Sequence, residues 1–237
     1  MKLRFRYALP LAVSTLGVGA AALPLVAQDR RPVVAVLPFE NGGSYGKDKE
    51  DFDALRKGLA AMLISELGVN PALRLVDRFE TQRILDAQGL AVAERVDKET
   101  AARVGKLVGA RYLITGSFID LYGDFRMDAR LIDVETGEII KVVRNDPKYH
   151  DRRDMYRMVQ SVAERVGTGT PLPPLPVGTA LRTRQVPTEA LAYFSRALLY
   201  QDRGDRAKAA EYYQKALAAY PDYTEASEGL RKVGGQE

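Results

Sequence analysis

The pattern of apolar and polar residues predicts a buried strand near the start of the chain and a long helix after it. Residues 33–39 form an apolar run that begins after Pro32 and has Pro38 near its end, which is typical of a strand buried on both faces. From Phe52 to Leu67 the apolar residues recur at helical spacing, and Gly68 ends that pattern. A strand followed by an amphipathic helix indicates an α/β arrangement.

Four shorter elements are predicted next, in the order strand, helix, helix, strand. A short strand covers Arg74–Asp77 and a helix covers about Phe79–Gln88. Asp97 is expected to cap the next helix, with Glu99 in its first turn, where negative charge is favourable. Tyr112–Phe118 then predicts a central strand.

The clearest strand pattern lies further on, where apolar and charged side chains alternate. Turns at Gly123 and Gly137 join this strand to its neighbours, which makes a three-strand meander ending at Ile139–Val143. A helix of about Arg153–Val166 completes a compact domain over residues 32–166. The alternating residues are Phe125, Met127, Ala129 and Leu131 on the apolar face, and Arg126, Asp128 and Arg130 on the charged face.

A second helical pattern occupies residues 188–237, after a proline-rich linker at 167–187. Two helices with small and aromatic residues at matching spacing resemble a tetratricopeptide repeat (TPR), and Glu225–Val233 would form a capping helix. Such repeats usually need about three copies for stability, so the tail is expected to dock on the α/β domain, self-associate or bind another repeat protein. The predicted class is α/β, an α+β mixed sheet in the order strand-helix-strand-helix-helix-three-strand meander-helix, with a small all-α helical hairpin.

The first 27 residues have the charge order of a secretory signal peptide. Met1–Tyr7 is basic, Ala8–Val26 is apolar and uncharged, and cleavage is expected after Ala27. The apolar run is also about long enough to span a membrane, so an uncleaved anchor is the alternative. Both interpretations place the rest of the chain in the periplasm or cell envelope.

Charge and cysteine content narrow the function classes. The net charge of +4 includes Lys2, Arg4 and Arg6 of the signal segment, and without these three, 32 of the 35 basic residues stand against 31 acidic ones. A nucleic-acid partner, which needs a clustered basic face, is therefore not expected. The chain has no cysteine, which excludes disulfides, thiolate metal sites and a thiol nucleophile, and predicts no lipid anchor on a cysteine.

Several ordered segments resemble the CsgG and TolB N-terminal-like domain family over about residues 32–166. The resemblance implies an envelope protein, because such domains occur in curli-type secretion pores and in other envelope proteins. The segments that carry the resemblance are Val33–Asn41, Leu75–Arg78, Ile84–Leu85, Gln88–Leu90, Gly109–Ser117 and Asp128–Glu138.

The chain departs from the curli-type pore in two respects. It has no cysteine to lipidate, and the connections between Ser117 and Val143 are too tight to contain membrane-crossing segments of about ten residues. We therefore expect a soluble relative that is not a transmembrane pore, with outer-membrane association that is peripheral at most.

Two surfaces are candidates for binding. Tyrosines of the tail are expected to lie mostly in its core, while exposed members would form a partner-binding surface. A glycine-rich loop follows the first strand and precedes a helix, a position that can bind phosphate, although the loop lacks a P-loop lysine and a flexible turn is favoured. The tyrosines are Tyr193, Tyr200, Tyr212, Tyr220 and Tyr223, and the loop residues are Asn41, Gly42, Gly43, Ser44, Tyr45 and Gly46.

No catalytic, metal or cofactor site is predicted. His150 is the single imidazole and stands without a nucleophile motif, so it is expected to be a surface residue. Asp128 is expected to pair with neighbouring arginines across strands instead of binding a cation.

The leading hypothesis is a non-enzymatic envelope assembly or scaffold protein associated with a secretion or cell-surface complex. Its α/β domain would self-associate or pack on that complex, and its tail would bind a protein partner. The alternative is a monomeric periplasmic ligand-binding or adaptor module that resembles the TolB N-terminal domain and uses the loop from Asn41 to Gly46.

Overall fold

The computed structural model describes residues 29–43, 49–90, 97–176 and 184–235. The predicted signal peptide, residues 1–27, lies outside the described residues. So do Ser44, Tyr45 and Gly46 of the candidate loop and residues 177–183 of the predicted linker.

Six strands form one mixed sheet: β1 (Val33–Val36), β2 (Glu40–Asn41), β3 (Arg74–Leu75), β4 (Tyr112–Leu121), β5 (Asp124–Asp133) and β6 (Ile139–Arg144). The order across the sheet is β3-β1-β4-β5-β6, and β2 pairs with Ser117 and Phe118 of β4. The pairings of β1 with β3 and β4 are parallel, while β4, β5 and β6 form an antiparallel meander. The predicted α/β class with its meander is confirmed, and β2 is an addition that the sequence did not predict.

The described helices are α1 (Lys49–Gly68), α2 (Arg78–Ala87), α3 (Lys98–Leu107), α4 (Met155–Gly167), α5 (Thr188–Asp202), α6 (Arg206–Ala219) and α7 (Thr224–Val233). The predicted cap of α3 is present, because the Asp97 carboxylate accepts a hydrogen bond from the Thr100 N–H at 2.7 Å. A 3₁₀ turn at Arg152–Asp154 leads into α4. We call α5, α6 and α7 the helical tail.

Two apolar layers cover the sheet on its two faces. Val34 and Val36 of β1 point to the layer that contains α1 and α4, while Ala35 and Leu37 point to the layer that contains α2 and α3. Because successive side chains of a strand alternate, burial on both sides requires the continuous apolar run seen in the sequence.

The alternation in β5 is confirmed. Its apolar residues, from Phe125 to Leu131, are at most 1% exposed and face α1 and α4. On the other face Asp128 accepts hydrogen bonds from Arg126 at 3.0 Å and Arg144 at 2.9 Å. The predicted pairing of this carboxylate with arginines therefore holds, and the charged face of β5 is accounted for by neighbouring side chains.

The helical tail docks on α1, which is one of the three arrangements that the sequence left open. Contacts join Arg31–Glu237 into one compact unit. At the closest approach, a Cβ on Gly58 of α1 would lie 1.8 Å from the Ser195 Oγ of α5. The Tyr223 hydroxyl donates to the Met62 Sδ at 2.9 Å. Tail and sheet therefore share one continuous apolar core, to which Met62 and Tyr223 both belong.

Among the described residues, no helix combines the length and the apolar character needed to cross a membrane.

Candidate functional site

A buried charge cluster holds α5 against the first two helices. Asp202, at the end of α5, pairs with the Nζ of Lys57 at 2.6 Å and with the Nη1 of Arg78 at 3.0 Å. The three side chains are only 8%, 12% and 13% exposed, respectively. Burial lowers the pKa of Lys57, and Asp202 opposes that shift. Two cations thus face one carboxylate, and Nη2 of Arg78 has no acceptor among the described atoms.

A second polar contact joins the tail to α1 and α4. Arg184, which precedes α5, pairs with Glu225 of α7 at 2.7 Å, and the Ser65 hydroxyl donates to the same carboxylate. Beside them the Tyr156 hydroxyl donates to Glu66, which is 5% exposed. Burial is the main cause that raises the pKa of Glu66, and the Tyr156 hydrogen bond opposes it. Burial also raises the pKa of Tyr156.

Three of the five candidate tyrosines come together on the tail. The ring centroids of Tyr193 and Tyr212 are 6.3 Å apart, and those of Tyr200 and Tyr212 are 5.4 Å apart in a stacked arrangement. All three side chains are half-buried. Arg196 and Lys215 lie over the Tyr212 ring, 5.6 and 4.7 Å from its centroid. We call Tyr193, Tyr200 and Tyr212 the tyrosine cluster.

The two remaining tyrosines lie elsewhere. Tyr223 is 0% exposed and packs 4.9 Å, centroid to centroid, from Phe194, so it is a core residue and offers no surface to a partner. Tyr220 is half-buried and packs edge-on against Tyr223 at 5.9 Å. The five candidate tyrosines therefore divide into a core group and a surface group.

The described part of the glycine loop forms a tight turn beside β4. Gly42 N–H donates to the Phe118 carbonyl at 2.7 Å, and a Cβ on Gly42 would lie 3.0 Å from that oxygen. The Asn41 side chain accepts a hydrogen bond from the Gly43 N–H at 3.3 Å. These contacts explain the glycine and asparagine by turn geometry, while a ligand at this loop stays a prediction.

A groove of about 300 Å³ runs along the junction between the tail and the edge of the sheet. Its floor and walls are mostly apolar and come from both sides of the junction. We call it the seam groove, and it is lined by Ala61, Ile64, Leu75, Val76, Asp77, Arg78, Phe79, Phe194, Leu198, Tyr213, Glu225, Glu228, Gly229 and Lys232.

A second, polar cavity of about 340 Å³ lies over α4 and the end of α1. Its lining mixes three cationic and three acidic side chains, and Glu66 is the buried one. The charged residues are Glu66, Asp146, Lys148, Arg157, Glu164 and Arg165.

Sequence reasoning missed both cavities and the charge cluster, for one reason. Lys57 and Asp202 are 145 positions apart, and each has the local pattern of an ordinary helix-surface charge.

The predicted surface position of His150 agrees with its side chain, which is 66% exposed and 3.6 Å from an Asp124 oxygen. The described residues contain no group of three or more side chains suited to hold a metal ion.

Comparison of sequences supports the resemblance stated above. Residues 20–126, a little under half of the chain, match the family model for the curli production assembly/transport component CsgG. This match confirms the resemblance of the α/β part, and the likeness of the tail to a TPR stays a prediction. No curated protein matches the chain.

Solved structures of envelope proteins give matches of low overall similarity. The C-terminal domain of LpoB from Salmonella enterica is 20% identical, with 48% of this chain and 80% of that chain covered and a TM-score of 0.35. LpoB from Escherichia coli is 16% identical, with 60% of this chain and 81% of that chain covered and a TM-score of 0.38. TolB from Acinetobacter baumannii is 15% identical, with 58% of this chain and 27% of that chain covered and a TM-score of 0.35.

Proposed function

We propose that this chain, whose residues 20–126 match the CsgG family, is a non-enzymatic scaffold or assembly protein of the cell envelope. The family match is the observation that carries the proposal, because CsgG is described as an assembly and transport component. The chain would reach the envelope through its signal segment, residues 1–27, and would meet a secretion or cell-surface complex there. After the signal segment, the chain would consist of an α/β domain at 32–166, a linker at 167–187 and a TPR-like tail at 188–237.

The tyrosine cluster is the proposed surface for a protein partner. Binding hot spots are enriched in tyrosine and arginine, because these side chains combine a large apolar area with a polar end. Tyr193 and Tyr212 keep part of their rings exposed, and Arg196 lies beside them. The Tyr200 hydroxyl donates to Glu50 of α1 at 2.8 Å, which fixes the cluster relative to the sheet-bearing part. A pre-ordered surface loses little conformational entropy on binding.

Affinity purification from the native envelope after mild cross-linking tests this proposal. The wild-type chain is compared with a double variant, Tyr193→Ala with Tyr212→Ala, and with Tyr122→Ala as the matched control, since Tyr122 is a fully exposed tyrosine of a β-turn. We expect one set of envelope proteins with the wild type and the control, and at least a tenfold reduction with the double variant, because hot-spot residues carry about 2 kcal/mol or more each. Equal recovery with all three chains would show that the cluster binds no partner.

The alternative function is a monomeric periplasmic ligand-binding or adaptor module. The polar cavity over α4 favours it, because a buried carboxyl group and several cations around about 340 Å³ suit a small polar ligand. Light scattering of the purified mature chain separates the two. A ring of several copies would support the scaffold, and a monomer that is stabilised by small polar molecules would support the alternative.

A further inference from the structure

The seam groove is built by two parts of the chain that meet only in the folded molecule. Ala61 and Ile64 of α1 form one side, Phe194 and Leu198 of α5 another, and the segment from Leu75 of β3 to Phe79 of α2 a third. Its volume of about 300 Å³ is at the lower end of the range for sites that bind small molecules or side chains. The groove shares no residue with the tyrosine cluster.

The edge of the sheet beside this groove has main-chain groups that no described strand pairs with. β3 is the last strand in the sheet order, so no described strand pairs with its outer side. The N–H groups of Arg74 and Val76 both point to the β1 side, where they donate to the carbonyls of Pro32, just before β1, at 3.1 Å and of Val34 at 2.9 Å. Because successive peptide groups of a strand point to opposite sides, the N–H and C=O of Leu75 point outward, away from β1.

An extended peptide fits this combination better than a helix does. A helix satisfies its own main-chain groups and is about 10 Å wide, so it would leave the Leu75 groups unpaired. A strand laid beside β3 would pair with them, and every second side chain would point toward the apolar lining of the groove.

The charges at the rim indicate the character of that peptide. Asp77, Glu225 and Glu228 are acidic, and Arg78 and Lys232 are basic. Glu225 pairs with Arg184, and Asp202 is shared by Arg78 and Lys57. Because the positive and negative charges around the groove nearly balance, they do not attract a strongly charged segment. The apolar walls favour aliphatic or aromatic side chains.

We infer that the seam groove binds an uncharged, extended segment of a partner protein, which adds as a strand beside β3 and places alternate apolar side chains in the groove. This site is a second partner contact, separate from the tyrosine cluster. The added strand is short, so the interaction is a short-motif contact whose affinity comes from main-chain pairing and one or two buried side chains.

Selection of random octapeptides on phage against the full mature chain provides the probe, followed by synthesis of the enriched sequence. We expect alternating apolar residues in that peptide, and slower exchange of the Leu75 amide hydrogen when it is bound. A second peptide of the same sequence carries N-methyl groups on the amides expected to pair with β3. N-methylation removes these hydrogen-bond donors and keeps the side chains. The affinity of this second peptide should fall at least tenfold.

Two protein variants complete the test. Ala61→Phe fills the groove and should weaken binding at least tenfold, while Ala218→Phe on the exposed face of α6 is the control and should bind as the wild type does. Equal affinity of the N-methylated peptide, unchanged binding to Ala61→Phe, or failure to enrich any peptide would overturn the inference. A concentration-dependent dimer that protects the Leu75 amide without peptide would also overturn it, since a second copy would then occupy the edge.

Discussion

Asp202 faces two buried cations. In such a contact, the loss of one partner costs more free energy than the intact pair contributes. Removing one partner of a buried ion pair leaves an uncompensated charge, whereas the intact pair contributes little net stability because both ions lose their water. Lys57 and Arg78 belong to the sheet-bearing part of the fold, and Asp202 belongs to the tail. We therefore expect the cluster to act mainly on specificity, by favouring the face of α5 that meets α1 and α2.

The substitution Asp202→Ala should lower the free energy of unfolding by roughly 3–5 kcal/mol, because it leaves the cations of Lys57 and Arg78 buried without a carboxylate partner. Urea denaturation followed by circular dichroism measures the effect. Lys215→Ala is the control, because Lys215 and Glu211 form an exposed pair on α6 and should contribute less than about 0.5 kcal/mol. Similar losses in the two variants would contradict a buried cluster at the seam.

Glu66 gives the protein a predicted dependence of stability on pH. Burial raises the pKa of its carboxyl group in the folded state above the ordinary value of 4.5, so the folded protein holds this proton to higher pH than the unfolded chain. The stability that Glu66 contributes is thus fully present below pH 4.5 and is lost as the pH rises through the folded-state pKa.

The variant Glu66→Gln is neutral at every pH and should not show that loss. We expect its free energy of unfolding, relative to the wild type, to rise between about pH 4 and about pH 7.5, as measured by urea titrations at each pH. The same difference between the two proteins at both ends of this range would show that Glu66 ionises normally.

At the scale of elements, the helix α1 contacts both the sheet and the tail. Its apolar residues pack on β1 and β3, and Gly58 lets α5 approach closely on another side. A Cβ at Gly58 would also lie 2.7 Å from the Cβ of Ser195, which is closer than side-chain atoms pack. A glycine in the middle of a helix costs up to about 1 kcal/mol, and here the close approach explains it.

The variant Gly58→Ala should therefore be destabilised by about 2 kcal/mol through overpacking, although alanine is the better helix former. Adding Ser195→Gly should restore most of the loss, because the clashing hydroxymethyl group is gone. Thermal unfolding of both variants measures this, with Gly68→Ala as the control, whose new Cβ would be an ordinary 3.5 Å from Leu75. A stabilised Gly58→Ala protein would contradict the packing of α5 on α1.

Elements with a clear periodicity were predictable from the sequence, and contacts between distant elements were not. The continuous apolar run of β1, the alternation in β5 and the cap at Asp97 each follow from local rules, and the structure confirms all three. β2 was not predictable, because its two residues show no period and form a strand only by pairing with Ser117 and Phe118 of β4.

The same limit applies to the candidate sites. Tyrosines at helical spacing identify an aromatic face, but which of them are exposed depends on the helices that cover them. Tyr223 is covered by α1 and Tyr212 is not, and nothing near either residue in the sequence distinguishes the two. The seam groove depends on the meeting of α1, β3 and the tail, which no local pattern predicts.

At the scale of the whole molecule, the helical tail is an integral layer of the fold. Three helices of this length are too few to bury their own apolar face, and α1 supplies the missing surface. Phe194, Tyr213 and Tyr223 are all at most 3% exposed in this arrangement. The tyrosine cluster and the seam groove therefore keep fixed positions relative to the sheet.

Cleavage of the chain between tail and sheet tests this docking. A protease site inserted within residues 177–183 should be cut without separating the products, because the buried apolar contact, the Asp202 cluster and the hydrogen bond from Ser65 to Glu225 all join the two fragments. We expect the two fragments to elute together in gel filtration, and the cut Asp202→Ala protein to separate more easily. Separate elution of the wild-type fragments would contradict a docked tail.

We propose that a protein partner in the cell envelope contacts the tyrosine cluster, and photo-crosslinking in living cells tests this contact. A photoreactive phenylalanine analogue replaces Tyr212 in one strain and Tyr122 in another, and the adducts are separated by mass after irradiation. We expect a discrete adduct with an envelope protein from position 212 and none of that mass from position 122. No adduct from position 212, or the same adducts from both positions, would contradict it.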